Sequence, residues 1–341
     1  MVHQIRTIDA HTAGEPLRLV VDGLPAPEGG TMLQRRAWAM KHLDHLRRAI
    51  MLEPRGHADM YGALLTEPVT PGAHAGVLFM HNEGWSTMCG HGVIAVATIA
   101  VERGLMWDAG GDVPEGPVTI VLDAPAGPVR AVATKTTNEG RPRVASVAFE
   151  NVPSFVLAAG VPIALGGRTF TADVSFGGAF YAIVDAEAAG LSIDVAKLPE
   201  LKRLGMAIAR DVERQMTVVH PLEPGLTGIY GTIFTAPPLA EGAHLRNVTV
   251  FADAEVDRSP CGTGTAAVMA VLDEMGVLGA GDGRFVHESL IGTCFEGRVV
   301  SRARVGDFPA IVPSIGGSAW ITGEHTFLVD ADDPLRAGFR V

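Results

Sequence analysis

Two of the three cysteines lie in nearly the same local sequence, about half a chain apart. Cys89 stands in STMCGHG and Cys261 in SPCGTGT, so Gly-x-Gly and an apolar, helix-like stretch follow each of them. The first turn of a helix exposes N–H groups and carries about half a positive charge. Such a terminus lowers the pKa of a thiol and attracts a carboxylate. The spacing therefore predicts two reactive thiols, each at a helix start that can also bind a small acid.

Two such helix starts, facing each other across a cleft between domains, would suit inversion at a carbon atom. A small carboxylate held between them would have its α-carbon between the two sulfurs. One sulfur, as thiolate, would remove the α-proton from one face, and the other, as thiol, would deliver a proton to the opposite face. The N–H groups would stabilise the negative charge that moves onto the carboxylate. This hypothesis requires no cofactor.

Asp257, four residues before Cys261, is a candidate partner for a cationic amine. A protonated amine makes the neighbouring α-carbon more acidic, which would help removal of the α-proton. The structural alternative is that Asp257 caps a turn in VDRSP, because Asp is common at such positions. The spacing alone leaves both roles open.

The sequence predicts the same positioning elements twice. When CGHGVIAVATIAVERGLM is laid on CGTGTAAVMAVLDEMGVL without a gap, Cys, Gly, Gly, Ala, Val, Glu and Gly coincide, and Gly-Ala-His precedes both stretches. We interpret this as two similar domains, each with one apolar helix that begins at a cysteine and ends at a glycine. A charged surface helix is predicted over residues 32–48, an amphipathic helix over residues 195–214, and strands over much of the remaining chain. The predicted boundaries are 1–153, 154–325, and a segment 326–341 that returns to the first domain.

Composition restricts the class of protein. The chain has 341 residues, 47% of them hydrophobic, and a net charge of −11, which argues against a nucleic-acid partner. It contains no apolar run long enough for a membrane span and no apolar leader, so we expect a cytoplasmic protein with reduced thiols. None of its lysines has a setting that suggests a Schiff base, and we expect no pyridoxal phosphate. The lysines are Lys41, Lys135, Lys197 and Lys202.

The motifs MCGHG and DRSPCGTGT, together with DAHTAGEPLRLV, MLEPRGHADMYGALL, DVSFGGAFYAIVDA and YGTIFT, resemble the proline racemase superfamily over nearly the whole chain. The resemblance implies a diaminopimelate-epimerase-like α/β fold, with two pseudo-symmetric domains that each wrap β-structure around a central helix. It implies that Cys89 and Cys261 are the acid–base pair and that Asp257 contacts the substrate ring nitrogen. It also implies a homodimer that needs neither metal nor pyridoxal phosphate. The backbone amides implied to hold the substrate carboxylate are those of Gly90, His91, Gly262 and Thr263.

The two cysteines favour one branch of that superfamily. Racemases and 2-epimerases of proline or hydroxyproline need two acid–base groups, whereas an elimination needs only one α-proton base. Both thiols are present, so a racemase or epimerase is the main prediction. The stretches HNEGWSTMCGH, GGAFYA and YGTIFT look closer to the dehydratase-like branch. The alternative is therefore a trans-3-hydroxy-L-proline dehydratase giving a pyrroline-2-carboxylate, alone or as a second activity.

Further candidates and competing classes are less specific. His57 and His220 are candidates for the pocket, although a loop role is the simpler reading of His57, and Cys294 reads as a buried structural cysteine. A cysteine hydrolase would need only one nucleophile, which the duplicated motif argues against. A zinc module built on Cys89, His91 and Cys261 would lack an evident fourth ligand. A binding protein without turnover stays open.

Overall fold

The computed structural model describes residues 2–105, 115–278 and 283–340. The chain divides into two compact units, one of residues 1–149 with 317–341, and one of residues 150–316. In the described residues, no helix has both the length and the apolar character that crossing a membrane requires.

The first unit is built around one apolar helix. Its elements are β1 (Val2–Thr12), β2 (Glu15–Asp22), α1 (Met32–His42), α2 (Asp44–Met51), β3 (Tyr61–Thr66), β4 (Ala75–His81), β5 (Trp85–Ser86), α3 (Gly90–Arg103), β6 (Gly116–Ala124), β7 (Gly127–Asn138), β8 (Arg141–Glu150) and, from the end of the chain, β18 (Ala319–Asp330). Every residue of α3 from Gly90 to Glu102 is buried. A helix that is apolar all round must be covered on every side, and here strands cover it.

The predicted helix over residues 32–48 is in fact two helices. The chain turns at Leu43, which closes α1 with an N–H bond to the Ala39 carbonyl and is itself buried. Asp44 then opens α2 and accepts a hydrogen bond from Arg47 at 2.6 Å. The new direction lets the buried Arg47 donate to the His81 carbonyl on β4 at 2.7 Å. Tertiary contacts therefore override the continuous helical pattern.

The second unit repeats the plan around another apolar helix. Its elements are β9 (Phe155–Leu165), β10 (Arg168–Phe176), β11 (Phe180–Asp185), a short 3-10 turn (Val195–Lys197), α4 (Leu198–Gln215), β12 (Ile229–Ala236), β13 (Leu245–Phe251), β14 (Glu255–Asp257), α5 (Gly262–Glu274), β15 (Arg284–Glu288), β16 (Cys294–Val305) and β17 (Phe308–Gly317). The first ten residues of α5, from Gly262 to Val271, are buried.

Strand pairing follows the same order in both units. In the first, β1–β2 is antiparallel, β2–β3 parallel, β3–β4 antiparallel, β4–β5 antiparallel, β4–β6 parallel and β6–β7 antiparallel. In the second, β10–β11, β11–β12, β12–β13, β13–β14, β13–β15 and β15–β16 repeat these directions in turn. β18 lies antiparallel beside β1 as β9 lies beside β10. The registers therefore assign equivalent residues one by one.

The repeated Gly-Ala-His has a structural role in both units. The His74 N–H donates to the Val121 carbonyl at 2.8 Å, and the Val121 N–H donates back to His74 Nδ1 at 3.0 Å. The same exchange joins His244 and Val286 at 2.8 and 2.9 Å. The glycine two residues before each histidine has a positive φ, which glycine adopts readily. The repeat thus tethers a tight turn to the strand that follows each cysteine helix.

Candidate active site

Cys89 begins α3 in the way the sequence predicts. It is the N-cap residue, with an ordinary extended φ of −148°, and the residue is 4% exposed. Its sulfur accepts the Gly92 N–H at 3.2 Å. A methyl group on Gly92 would lie 2.9 Å from that sulfur and 2.5 Å from the Phe79 ring. The second glycine of the motif therefore makes room for the bond between the thiol and the helix.

His91 lies beside the same thiol. Its Nδ1 is 3.3 Å from Cys89 Sγ, and its ring meets the Tyr61 ring edge-on at 4.8 Å between centroids. The His91 carbonyl accepts a hydrogen bond from the Thr12 hydroxyl at 2.9 Å. The sequence predicted a role for the His91 backbone N–H and left its side chain open. The structure places the imidazole within hydrogen-bonding distance of the sulfur.

Cys261 begins α5 in a similar setting with a different backbone. Its sulfur accepts the Gly264 N–H at 3.3 Å and lies 3.7 Å from the Tyr181 hydroxyl. That hydroxyl is 2.7 Å from the Thr263 hydroxyl. The φ of Cys261 is +63°, in the left-handed region. A residue with a side chain held in a sparsely populated conformation costs on the order of 1–3 kcal/mol, and such strain clusters at functional sites.

The first turns of α3 and α5 also contain the backbone N–H groups that the sequence predicts to hold an anion. Helix geometry gives the first residues of a helix no intrahelical carbonyl to bind. In each helix the thiol accepts the third of these groups, from Gly92 or Gly264. The groups before them belong to Gly90, His91, Gly262 and Thr263, all buried. These are the amides predicted to hold a carboxylate.

Asp257 ends β14 and holds the turn that leads to Cys261. Its Oδ1 accepts the Ser259 N–H at 2.8 Å and the Ser259 hydroxyl at 2.7 Å. The turn role considered from the sequence is therefore present. Burial raises the pKa of Asp257 to about 6, although hydrogen bonds from Ser259 and Cys261 and the charge of Arg258 lower it. The side chain thus gains its negative charge close to neutral pH.

The thiol of Cys261 differs from the prediction for a helix terminus. Burial, followed by the charge of Asp257, raises the pKa of Cys261 to about 12, and the Gly264 N–H, Tyr181 and Thr263 lower it less. The predicted lowering was wrong for this cysteine, because removal of the thiolate from water outweighs the helix terminus. Cys261 is therefore a protonated thiol near neutral pH, which suits a proton donor.

The strand registers reveal one asymmetry between the two cysteine turns. Phe79 pairs with Ser86, and Thr249, its equivalent, pairs with Asp257, so Ser86 is the counterpart of Asp257. Ser86 is buried and accepts a hydrogen bond from the Tyr61 hydroxyl at 2.6 Å. Cys89 is the third residue after Ser86, whereas Cys261 is the fourth residue after Asp257. The second unit therefore has an added residue and a carboxylate where the first has a neutral hydroxyl.

The remaining candidates have local partners. His57 is exposed in a loop, where its Nδ1 is 2.7 Å from the Ala58 carbonyl. His220 is buried, and its Nδ1 accepts the N–H groups of Leu222 and Glu223 at 3.3 and 3.1 Å. Burial lowers the pKa of His220. Cys294 is exposed, so the prediction of a buried cysteine was wrong: it is the first residue of β16 and does not lie in the core.

Sequence reasoning did not single out Tyr181 or Ser259. Tyr181 comes from β11, far from Cys261 in sequence, and burial followed by the nearby Cys261 raises its pKa well above the usual value. No local sequence pattern predicts a contact between residues so far apart in the chain. Ser259 was detectable, because Asp-x-Ser before a helix is a common turn pattern.

Comparison with known proteins places these features in a family. A family model described as proline racemase matches residues 7–340. A trans-3-hydroxy-L-proline dehydratase of Bacillus thuringiensis subsp. konkukian (strain 97-27) is 51% identical over 98% of this chain and 97% of its own length. A 3-hydroxyproline 2-epimerase of Burkholderia multivorans is 44% identical over 99% and 98%. A proline racemase of Clostridioides difficile is 41% identical over 98% and 97%.

Solved structures agree with this placement. A hydroxyproline epimerase from Agrobacterium vitis, with bound trans-4-hydroxy-L-proline, matches with a TM-score of 0.90 at 30% identity over 99% of this chain and 95% of that one. A PhzF-family phenazine biosynthesis protein from Bacillus anthracis matches with a TM-score of 0.56 at 13% identity over 96% and 100%, which shows the fold alone. The predicted α/β fold class is confirmed.

Proposed function

The chain belongs to the proline racemase family, and from this membership we propose that it is a racemase or 2-epimerase of proline or a hydroxyproline. One observation carries the proposal. Each of two similar units begins its central helix at a buried cysteine whose sulfur accepts the N–H three residues on, from Gly92 or Gly264. A reaction that needs one acid and one base of the same kind accounts for this duplication.

In the proposed mechanism, Cys89 and Cys261 act on opposite faces of one α-carbon. Cys89, as thiolate, takes the α-proton, and the electron pair of the C–H bond moves into the carboxylate as an enediolate. Helix-start amides stabilise this charge. Cys261, a thiol whose pKa is raised to about 12, gives its proton to the opposite face. After this step Cys89 is the thiol and Cys261 is the thiolate. A substrate molecule of the opposite configuration, or proton exchange with solvent, returns the two cysteines to their starting states.

We propose that Asp257 receives the ammonium of the substrate ring. Ser86, its counterpart, carries no charge, so the two cysteine turns together offer one carboxylate for one ammonium. The cation would offset the buried charge of Asp257 and keep the α-carbon acidic. His57 and His220 stay candidates for the walls of the pocket.

The charge of Asp257 gives a prediction for pH dependence. Its pKa is raised to about 6, so the carboxylate is charged above that pH and neutral below it. A neutral acid binds an ammonium poorly, so kcat/KM is expected to fall as the pH decreases through about 6. A pH profile between 4.5 and 8 checks this, with Asp257→Asn as the variant that should lose both most activity and the acidic limb. If the Asp257→Asn variant showed the same decrease of kcat/KM at acidic pH, that decrease would have to come from another titrating group.

A dehydratase is the second candidate, and the 51% identical relative of that name favours it. Removal of the α-proton of trans-3-hydroxy-L-proline, breakage of the C3–O bond and protonation of the leaving hydroxyl would release water. The remaining enamine would become a pyrroline-2-carboxylate by moving a proton. The first step is the same as in inversion, so a chain with both thiols is equipped for either outcome.

We propose that the enzyme works in the cytoplasm as a homodimer, without metal or pyridoxal phosphate. The mechanism above gives each step to a side chain or backbone group of the chain itself. Light scattering on the purified protein measures the dimer directly, and a monomer that turns over substrate would disprove that part alone.

The experiment for the activity is a panel of three substrates in deuterium oxide: L-proline, trans-4-hydroxy-L-proline and trans-3-hydroxy-L-proline. Deuterium at the α-carbon with inversion is expected for at least one of them, measured by proton NMR and chiral chromatography. Formation of a cyclic imine without inversion would establish the dehydratase instead. No reaction with any of the three would refute the substrate class.

A further inference from the structure

The peptide bond between Pro260 and Cys261 is held at both of its polar atoms. The Cys261 N–H donates to the Ser259 hydroxyl at 3.1 Å. The Pro260 carbonyl accepts the Asn247 side-chain amide at 3.0 Å and the Thr265 hydroxyl at 3.2 Å. Rotation of this peptide plane changes φ of Cys261, so these bonds fix the torsion that aims its sulfur.

His287 completes the network behind the carbonyl. Thr265 uses its only proton on Pro260, so His287 Nδ1 donates to the Thr265 oxygen at 2.9 Å. His287 Nε2 then accepts from the Asn247 amide at 3.0 Å. This pattern requires a neutral ring, and burial lowers the pKa of His287 to about 3. Asn247, Thr265 and His287 are all fully buried, and each has its polar atoms engaged.

The first unit has no such network at the equivalent positions, all of which are described. The registers make Val77 the counterpart of Asn247, and Leu122 the counterpart of His287. Val93 stands four residues after its cysteine, as Thr265 does. The same architecture therefore packs well with three aliphatic residues.

The polar trio coincides with the one cysteine that has an unusual backbone. Cys89, whose unit has aliphatic residues at the three equivalent positions, has a φ of −148°, whereas Cys261 has a φ of +63°. Burial of three polar side chains is unfavourable unless each is satisfied, and an aliphatic core is the simpler solution. The unfavourable burial of these polar side chains is explained if they are needed to hold the peptide bond before Cys261 in its strained conformation.

We propose that Asn247, Thr265 and His287 are positioning residues, which lock the Pro260–Cys261 peptide so that the Cys261 thiol is aimed at its target. The inference rests on the proposed function in one respect, namely that Cys261 donates a proton during turnover. The locking of the peptide is a separate, measurable property. A loss of alignment by about 1 Å is enough to lower a rate by about 100-fold.

The first measurement compares three variants in steady-state kinetics. Thr265→Val removes the hydroxyl without changing the volume much, and kcat is expected to fall by about 10- to 100-fold with KM within about threefold of wild type. Thr265→Ser keeps the hydroxyl and should recover most of kcat. The matched control is Thr98→Val, because Thr98 is equally buried in α3 but bonds only the Ile94 carbonyl of its own helix.

The second measurement needs no substrate. Protein labelled with [15N]cysteine has only three cysteine amide signals, from Cys89, Cys261 and Cys294. Hydrogen exchange of the Cys261 amide is expected to accelerate at least tenfold in Thr265→Val, while the Cys89 amide keeps its rate. Thr98→Val should change neither rate.

The two readouts separate the possible failures. If wild-type protein turns over none of the substrates, the proposed function fails, and amide exchange still decides whether the peptide is locked. Unchanged exchange at Cys261 in Thr265→Val would refute the lock. Faster exchange with an unchanged kcat would refute its role in positioning the thiol. Equal acceleration at Cys89 and Cys261 would indicate general destabilisation and also contradict the inference.

Discussion

Replacement of Cys261 by serine is expected to abolish inversion while leaving proton removal at the α-carbon. A hydroxyl is a much weaker acid than a thiol, so delivery of the second proton should slow by a factor of about 10²–10⁴. Cys89 would still remove a proton and return one to the same face. In deuterium oxide, the variant should incorporate deuterium with retention of configuration.

Replacement of Cys89 by serine is expected to give a different result for the same substrate. The base is then lost, so the rates of α-proton exchange, inversion and any elimination should all decrease together. Cys294→Ser is the matched control, because Cys294 is an exposed thiol on β16, and its removal should leave every rate unchanged.

Chiral chromatography with NMR of the α-proton measures all three variants in one assay. Inversion by Cys261→Ser at close to the wild-type rate would contradict the two-thiol mechanism. If Cys261→Ser forms the cyclic imine from trans-3-hydroxy-L-proline as fast as wild type, Cys261 is dispensable for elimination, and the dehydratase would be the better description.

Alanine at Gly92 or Gly264 is expected to cost about 100-fold or more in kcat. A methyl group on Gly92 would lie 2.9 Å from Cys89 Sγ, and one on Gly264 would lie 2.9 Å from Cys261 Sγ. Each methyl must therefore displace the thiol that accepts the N–H of that glycine. The sulfur proposed to react would move, although no chemical group is removed.

Gly84→Ala is the matched control for these variants. Gly84 lies in the same unit as Gly92, and a methyl group there would meet no atom within 4 Å. Its activity and its melting temperature should be those of wild type. Gly92→Ala also presses on the Phe79 ring at 2.5 Å, whereas Gly264→Ala presses on the end of the Ile233 side chain at 2.9 Å, so Gly264→Ala disturbs the core less. A folded Gly264→Ala protein with normal kcat would show that the bond between sulfur and N–H does not position the thiol.

The sequence predicts much of the frame because the frame depends on local and repeated patterns. The apolar stretches after Cys89 and Cys261 form central helices α3 and α5, as periodicity and the duplicated motif indicate. Gly-Ala-His proves to be a tether in both units. The helix predicted over 32–48 breaks at Leu43, because burial of that side chain is a tertiary effect that no local pattern records.

The finer properties of the site depend on residues far apart in the chain. Tyr181 approaches Cys261 from β11, and the Pro260 carbonyl is held from β13 and α5. The raised pKa of Cys261 follows from burial, which the helix-terminus argument does not include. The positive φ of Cys261 occurs in the turn that has an extra residue, and that residue is visible only when strand registers are compared.

The extra residue between Asp257 and Cys261 has a consequence for the binding of two enantiomers by one protein. Asp257 is a carboxylate and its counterpart Ser86 is not, so the two cysteine turns would not act alike on a charged substrate. In the proposed mechanism both enantiomers place their nitrogen at the same anion, so the α-hydrogen points towards Cys89 in one enantiomer and towards Cys261 in the other. The two units differ at this point in one short connection, from β14 to α5, whereas the strands and helices on either side of it repeat.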